Sequence, residues 1–247
     1  MLETVRLIAV DVDGTITYQE PYIHLGALKS LRSLGKRVPI ALVTGNPYPI
    51  AYALSVYLRP HDQILGVAEN GAVVYIGDRD IVMGDCEIMK SVKDFLRKKG
   101  YDKYLSEDSK FRYVDVALRM KLEDQERLRK DLLEEGLEVE LTTSGYAIHI
   151  HPKGTDKGSG LLRLCKELDI DCKETIAIGD SHNDLSMFSV VGLSIALPNA
   201  PPEVKRRADF VVGGPGYGYS LPLALKIVKK LISVQTPIWS SSGLPQI

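Results

Sequence analysis

The first apolar run of the chain, Val5–Val10, ends in two aspartates one residue apart, "DVDGT" from Asp11 to Thr15. Unpaired carboxylates at the end of a buried strand are costly, so a compensating partner is implied. Three further polar stretches are candidates to meet them: "TGN" at Thr44–Asn46, "DKG" at Asp156–Gly158 and "GDSHND" at Gly179–Asp184. In one crevice Asp11, Asp13, Asp180 and Asp184 would repel one another, and a hard divalent cation with oxygen ligands, Mg²⁺, answers that repulsion. Lys157 adds a compact positive charge, and the Gly45 and Asn46 amides, opening a helix, offer N–H groups to an anion. The pattern implies a phosphate-bearing partner with Mg²⁺ between it and the carboxylates. Side chains two apart on an extended segment share a side. Asp11 can then attack phosphorus as a carboxylate nucleophile. Asp13, in the turn, can protonate the leaving oxygen and then deprotonate the hydrolytic water.

These residues need a scaffold that brings them together. Val5–Val10 and Val38–Val43 are continuous apolar runs, as buried parallel strands are, and Leu28, Leu31 and Leu34 repeat at helical spacing between them. Asn46 is placed to cap the next helix, with Pro47 in its first turn. "ILGVAENGAVVYI" reads as a strand and hairpin around Asn70-Gly71. From Val82 to Pro152 the rhythm changes. Two amphipathic helices, "EIMKSVKDFLRKKG" and "EDQERLRKDLLEEG", alternate with the half-buried strands "RYVDVALRM", "LEVELTTS" and "YAIHIHP". After Lys153 buried strands and helices alternate again, with a helix over Gly158–Leu168 and a last one over Leu221–Ile232. The expected fold is α/β: a Rossmann-like parallel-sheet core, residues 1–81 and 153–247, split by a smaller inserted α+β cap, residues 82–152. Ligands of such a sheet bind beyond the carboxyl ends of its strands. Three of the four polar stretches fall there, and the fourth begins a helix. The tail "QTPIWSSSGLPQI" reads as irregular coil.

Composition narrows the partners. With 31 Lys+Arg against 32 Asp+Glu in 247 residues, no broad basic surface for nucleic acid or an anionic membrane is expected. No apolar run has transmembrane length and no signal-peptide pattern is present. Cys86, Cys165 and Cys172 are scattered, which suits reduced thiols and a cytoplasmic setting. A calcium loop would need glycine at its sixth position and an acid at its twelfth, where this chain has Ile16 and Tyr22. "DFVVGGPGYGYSLPLALKIV" imitates a dinucleotide-binding turn but lacks a following strand and a ribose-binding acid, so it reads as a flexible loop. His149 and His151 share a strand face without an evident third ligand and read as surface or substrate-facing groups.

In this order and separation, "DVDGT", "TGN", "DKG" and "GDSHND" resemble the four motifs of the haloacid dehalogenase (HAD) superfamily of phosphohydrolases. The inserted block resembles the α/β cap of its Cof-like and sucrose-phosphatase-like branch. Length and cap size are most similar to archaeal-type phosphoglycolate phosphatases, over nearly the whole chain up to the tail. The late "GGPGYGYS" stretch is richer in glycine than that pattern. The resemblance implies Asp11 as nucleophile and Asp13 as acid/base. It implies Thr44, the Gly45-Asn46 backbone, Lys157 and Asn183 around the phosphoryl group. Mg²⁺ would then lie on Asp11, the Asp13 carbonyl and Asp180, with Asp184 supporting it directly or through water. The implied partner is a small phosphorylated metabolite, most readily 2-phosphoglycolate, with Arg112 or Arg119 as the cation for its carboxylate. A homodimer is compatible with such a chain. A sugar-phosphate phosphatase, a phosphotransferase and a non-catalytic phosphometabolite-binding protein are the competing readings.

Overall fold

A computed structural model describes residues 4–143 and 147–234; the tail expected as coil lies outside the described residues. The strands of the larger sheet are β1 (Leu7–Val10), β2 (Ile40–Val43), β3 (Leu65–Ala68), β4 (Val73–Ile76) and β5 (Arg79–Val82). The chain then makes a smaller sheet from β6 (Val116–Leu118), β7 (Val139–Thr143) and β8 (Ile148–Pro152). It returns to the larger one with β9 (Thr175–Gly179), β10 (Leu193–Ala196) and β11 (Phe210–Val211). The larger sheet runs β11-β10-β9-β1-β2-β3-β4-β5. Its strands are parallel from β11 to β3, and β4 and β5 are added as antiparallel hairpins.

The continuous apolar runs follow from burial on both faces. Along β1, Ile8 and Val10 enter one core cluster while Leu7 and Ala9 enter the other, as a two-residue period requires. The first cluster is completed by α1 (Leu25–Gly35) and α8 (Tyr217–Val234), through Leu31, Leu34, Leu221 and Val228. The second is completed by α5 (Lys157–Glu167) and α6 (Leu185–Val190), through Leu161, Leu164 and Met187. This is a helix–sheet–helix sandwich with the central strands of the sheet buried inside it and the edge strands β5 and β11 exposed.

In the smaller sheet the order is β6-β8-β7, all antiparallel. One face packs on α3 (Cys86–Lys99) and α4 (Gln125–Glu134): Val116, Leu118, Ile148 and Ile150 meet Met89, Phe95, Leu128 and Leu132. Alternation sends Ala117 and His149 to the opposite face, toward the larger sheet. Three features depart from what the sequence implies. Pro47, not Asn46, is the N-cap of α2 (Tyr48–Leu58), because the Asn46 side chain is used elsewhere. Of the two histidines read as surface or substrate-facing, neither is at the surface: His149 is buried yet lines the cavity between the sheets, and His151 is buried with Nδ1 3.1 Å from Thr155 Oγ1. The glycine-rich stretch is tied down, with Gly216 N–H on Ser220 Oγ (2.9 Å) and Tyr217 N–H on Asn199 Oδ1 (2.6 Å). Among the described residues no helix is long and apolar enough to cross a membrane.

Candidate active site

β2, β1 and β9 are consecutive in the sheet, so the loops leaving their carboxyl ends converge. Asp11 follows β1 directly and donates its main-chain N–H to the Ile178 carbonyl of β9 (3.0 Å). Gly14 turns the loop at φ +83°, a conformation that favours glycine, and a Cβ there would collide with the Asp180 carboxylate. Thr15 Oγ1 then donates to Asp180 Oδ1 (2.8 Å). The same turn brings Asp13 to Asn46, whose Nδ2 donates to Asp13 Oδ2 (2.7 Å) and to Thr44 Oγ1 (3.0 Å). The Asn46 main-chain N–H is also engaged, by Thr44 Oγ1 at 3.1 Å. That corrects its expected use as a free anion donor opening the helix.

Lys157 is the first residue of α5, behind an Asp156–Ser159 capping box. Peptide dipoles disfavour a cation at a helix N-terminus; two carboxylates offset that here. Nζ donates to Asp11 Oδ1 and to Asp184 Oδ1, both at 2.6 Å, and the ammonium is only 1% exposed. Burial works against its charge, but Asp11 and Asp184 outweigh burial and hold the lysine protonated well above its ordinary range. Lys153, a nearby competitor in sequence, pairs instead with Glu138 at the surface (3.0 Å).

The acids respond to the same crowding. Burial first, then Asp184, Asp180 and Asp13, push the Asp11 carboxyl up, with Lys157 opposing. Burial raises Asp13 against the pull of Asn46, Lys157 and Arg112. Asp180 is pushed up to about 7 by burial and Asp184, with Thr15 and Lys157 opposing. Asp11, Asp180 and Asp184 bring one oxygen each within 4.8 Å of one another, and Lys157 is the ammonium paired into this set. Asp11 Oδ2 is buried without a hydrogen-bond partner. Surplus acid beside an orphaned carboxylate oxygen fits a hard divalent cation. The Asp184 oxygens are the most committed of the three: Oδ2 also accepts from the Asp180 and Ser181 amides at 2.8 and 2.9 Å.

Several residues of the site were not singled out in the sequence. Asn199, after β10, donates from Nδ2 to Asp180 Oδ2 (2.7 Å) and to the Gly14 carbonyl (3.1 Å). Its position beyond a strand end was the available signal. Asn183 donates to Asn70 Oδ1 (3.1 Å), a residue legible only as part of a hairpin.

Above the acids lies a cavity of about 330 Å³. Asp11, Asp13, Thr17, Asn46, Asp180 and Asn183 line it from the larger sheet, and Ser106, Asp108, Arg112, Arg119 and His149 from the smaller. Arg112 donates to Asp115 Oδ1 (2.5 Å), Asp108 Oδ2 (2.8 Å) and the Gly45 carbonyl (2.9 Å). His149 Nδ1 meets the other oxygen of Asp115 at 2.9 Å. Arg119 is 64% exposed along its side chain, and among the described residues its ion-pair partner is Glu107, at 3.8 Å. The Arg112 charge is therefore balanced within its own wall, whereas that of Arg119 is open to a ligand.

Residues 87–214 match the haloacid dehalogenase-like hydrolase family. A phosphoglycolate phosphatase of Methanothermobacter thermautotrophicus is 36% identical over 208 residues, 83% of this chain and 91% of that protein. One from Staphylothermus marinus is 33% identical over 243 residues, 92% of this chain and 98% of that protein. Among solved structures, Thermoplasma acidophilum 0175 superposes with a TM-score of 0.80 at 26% identity, covering 92% of this chain and 99% of that one.

Proposed function

The chain belongs to the haloacid dehalogenase-like hydrolases, and from that premise we propose that it is a Mg²⁺-dependent phosphomonoesterase whose substrate is 2-phosphoglycolate. The observation that carries the reading is the state of Asp11. One of its oxygens is pinned by Lys157, the other has no hydrogen-bond partner, and the residue lines the cavity. In the first half-reaction an Asp11 oxygen bonds to phosphorus and the bond from phosphorus to the leaving oxygen breaks. Asp13, whose carboxyl burial raises, gives its proton to that oxygen as it departs. In the second, Asp13 takes a proton from water, the water oxygen bonds to phosphorus, and the acyl-phosphate bond to Asp11 breaks. Lys157 counters charge on Asp11 throughout, and Thr44, Gly45 and Asn183 surround the phosphoryl oxygens. Asn46 holds Asp13 in place. Asp11, the Asp13 carbonyl and Asp180 would hold Mg²⁺, with Asp184 fixing Lys157 and the Asp180 amide behind them; when bound, the ion neutralises charge on the phosphoryl oxygens.

Residues 82–152 act as a cap that reads the leaving group. Curated relatives named phosphoglycolate phosphatase support the substrate, and so does Arg119, the cavity cation open to a carboxylate. The volume of the cavity, about 330 Å³, favours one competitor, a larger sugar phosphate. Phosphate release should be measured across phosphoglycolate, sugar phosphates and nucleotides, with Mg²⁺, with chelator and with Asp11→Asn. Turnover of phosphoglycolate above the rest, lost in both controls, is the expected result. Arg119→Ala should raise KM for phosphoglycolate far more than for an uncharged ester. Preference for a sugar phosphate overturns the substrate, and turnover by Asp11→Asn overturns the mechanism.

A further inference from the structure

Among the described residues Glu69 is a fully buried carboxylate at the base of the cap that forms no ion pair. It lies between β3 and β4 on the larger sheet, is fully buried, and is the first of three consecutive residues in left-handed conformation: φ is +49° at Glu69, +52° at Asn70 and +104° at Gly71. Left-handed backbone at a glutamate is unfavourable and persists where the surroundings require it. What requires it is a set of four main-chain donors. Oε1 accepts from Tyr48 N–H (3.1 Å) and Tyr113 N–H (2.8 Å), and Oε2 from Val114 N–H (2.7 Å) and Asp115 N–H (3.1 Å). Three of these amides belong to the cap, immediately before β6. The fourth is the first residue of α2, two residues beyond Asn46.

Two more ties cross at the same place. Arg112 donates from the cap to the Gly45 carbonyl at 2.9 Å, and Asn70 Nδ2 donates to Asp115 Oδ2 at 3.4 Å. The junction therefore joins cap segment 112–115 to the residues on both sides of Asn46, and Asn46 holds Asp13. We infer that Glu69 is a catch: it fastens the cap over the cavity and, through Tyr48 and the Gly45–Asn46 turn, keeps Asp13 in its proton-donating position. The Asp13 part of this rests on the phosphatase reading above; the fastening does not. A polar catch suits a cap that must open, because water replaces each bond when it breaks and the net cost of release is modest. Apolar contact lies beside it, with the Tyr48 and Tyr113 rings 5.3 Å apart, and opening exposes that contact to water as well.

Glu69→Gln tests this with almost no change in volume. Whichever way the amide turns, its NH₂ faces two N–H donors, so two of the four bonds are lost. Hydrogen exchange at the Tyr113, Val114 and Asp115 amides should quicken by about tenfold or more, while exchange in β1 and β9 stays as in wild type. Kinetically, kcat for an alkyl phosphate, whose leaving oxygen needs the Asp13 proton, should fall about tenfold relative to kcat for a nitrophenyl phosphate, whose leaving group departs without one. Unchanged exchange at 113–115, or equal acceleration everywhere, overturns the catch; an equal fall for both esters overturns its link to Asp13. Wild-type protein that hydrolyses neither ester refutes the phosphatase reading, and the exchange comparison then decides the catch alone. Should Glu69→Gln fail to fold, Arg112→Lys is read in the same way. It keeps the charge but cannot hold Gly45, Asp108 and Asp115 together, and unchanged exchange at 113–115 in that variant overturns the proposal.

Discussion

Lys157→Met replaces a buried ammonium by an apolar side chain of similar length, and its cost can be worked from the structure. The ammonium sits 2.6 Å from each of two carboxylates that are themselves no more than 5% exposed. Removing it leaves Asp11 and Asp184 facing each other and Asp180 with no compensating charge. Breaking a buried pair from one side costs about 3–5 kcal/mol. For a chain of this size each kcal/mol lowers Tm by about 2–4 °C, so in chelator the variant should melt about 6–20 °C below wild type. Three carboxylates against one ammonium become three against none, so Mg²⁺ should raise Tm by more in the variant than in wild type. Differential scanning calorimetry at neutral pH, with chelator and then with Mg²⁺, measures both terms. A variant melting within about 2 °C of wild type in chelator, or equal Mg²⁺ increments in the two proteins, would refute the charge balance assigned to Lys157.

The remaining predictions concern the acids and their supports. Asp180 has its carboxyl raised from 3.8 to about 7, so the folded state holds a proton there that the unfolded state releases. Its contribution to stability is complete below about 4 and is lost as pH rises to about 7; calorimetry in chelator should show that decline, and Mg²⁺, which favours the ionised carboxylate, should flatten it. Asp13→Asn should lower kcat for an alkyl phosphate by about 10²–10⁴ while leaving the Mg²⁺-induced rise in Tm intact, because the Asp13 side chain is outside the clustered trio. Asn199→Ala, which unhooks Asp180 from Gly14, should weaken Mg²⁺ binding by about 10–100-fold in a calorimetric titration.

How much was legible follows from where each constraint lies along the chain. β1, β2 and β9 could be read because strands buried on both faces leave continuous apolar runs, and Asp11, Thr44 and Asp180 stand directly behind them. Lys157 could be read because, with Gly158, it stands where a helix begins. The cap elements were legible from alternation, yet their contacts were not. Arg112 and Arg119 are the same residue type seven positions apart, and nothing local says that Asp108 and Asp115 neutralise the first alone. Asn46 was misassigned because an asparagine before proline satisfies helix-capping rules, while its actual partner, Asp13, is 33 residues away. Glu69 was invisible for a similar reason: its four donors come from two distant segments, and the local string supports an ordinary hairpin.

The division between legible and hidden residues is also a division of chemistry. Phosphoryl transfer demands charges that are fixed relative to the backbone, so the acids and Lys157 sit at strand ends and a helix start, where local sequence sets direction. On the proposed reading, leaving-group recognition asks for a surface that can withdraw, and hydrogen bonds tie that surface to the larger sheet. The Glu69 junction joins the two. It places four amides on a core carboxylate without spending a cation, and Arg119 lines the cavity as the cation open to a ligand. If Mg²⁺ on the acids were to meet the ester phosphate and Arg119 a carboxylate, each end of the substrate would be met by opposite charge, with the neutralised Arg112 wall between them. A substrate lacking the second charge loses that match, which is why the Arg119→Ala comparison separates phosphoglycolate from an uncharged ester more sharply than any change at the acids could.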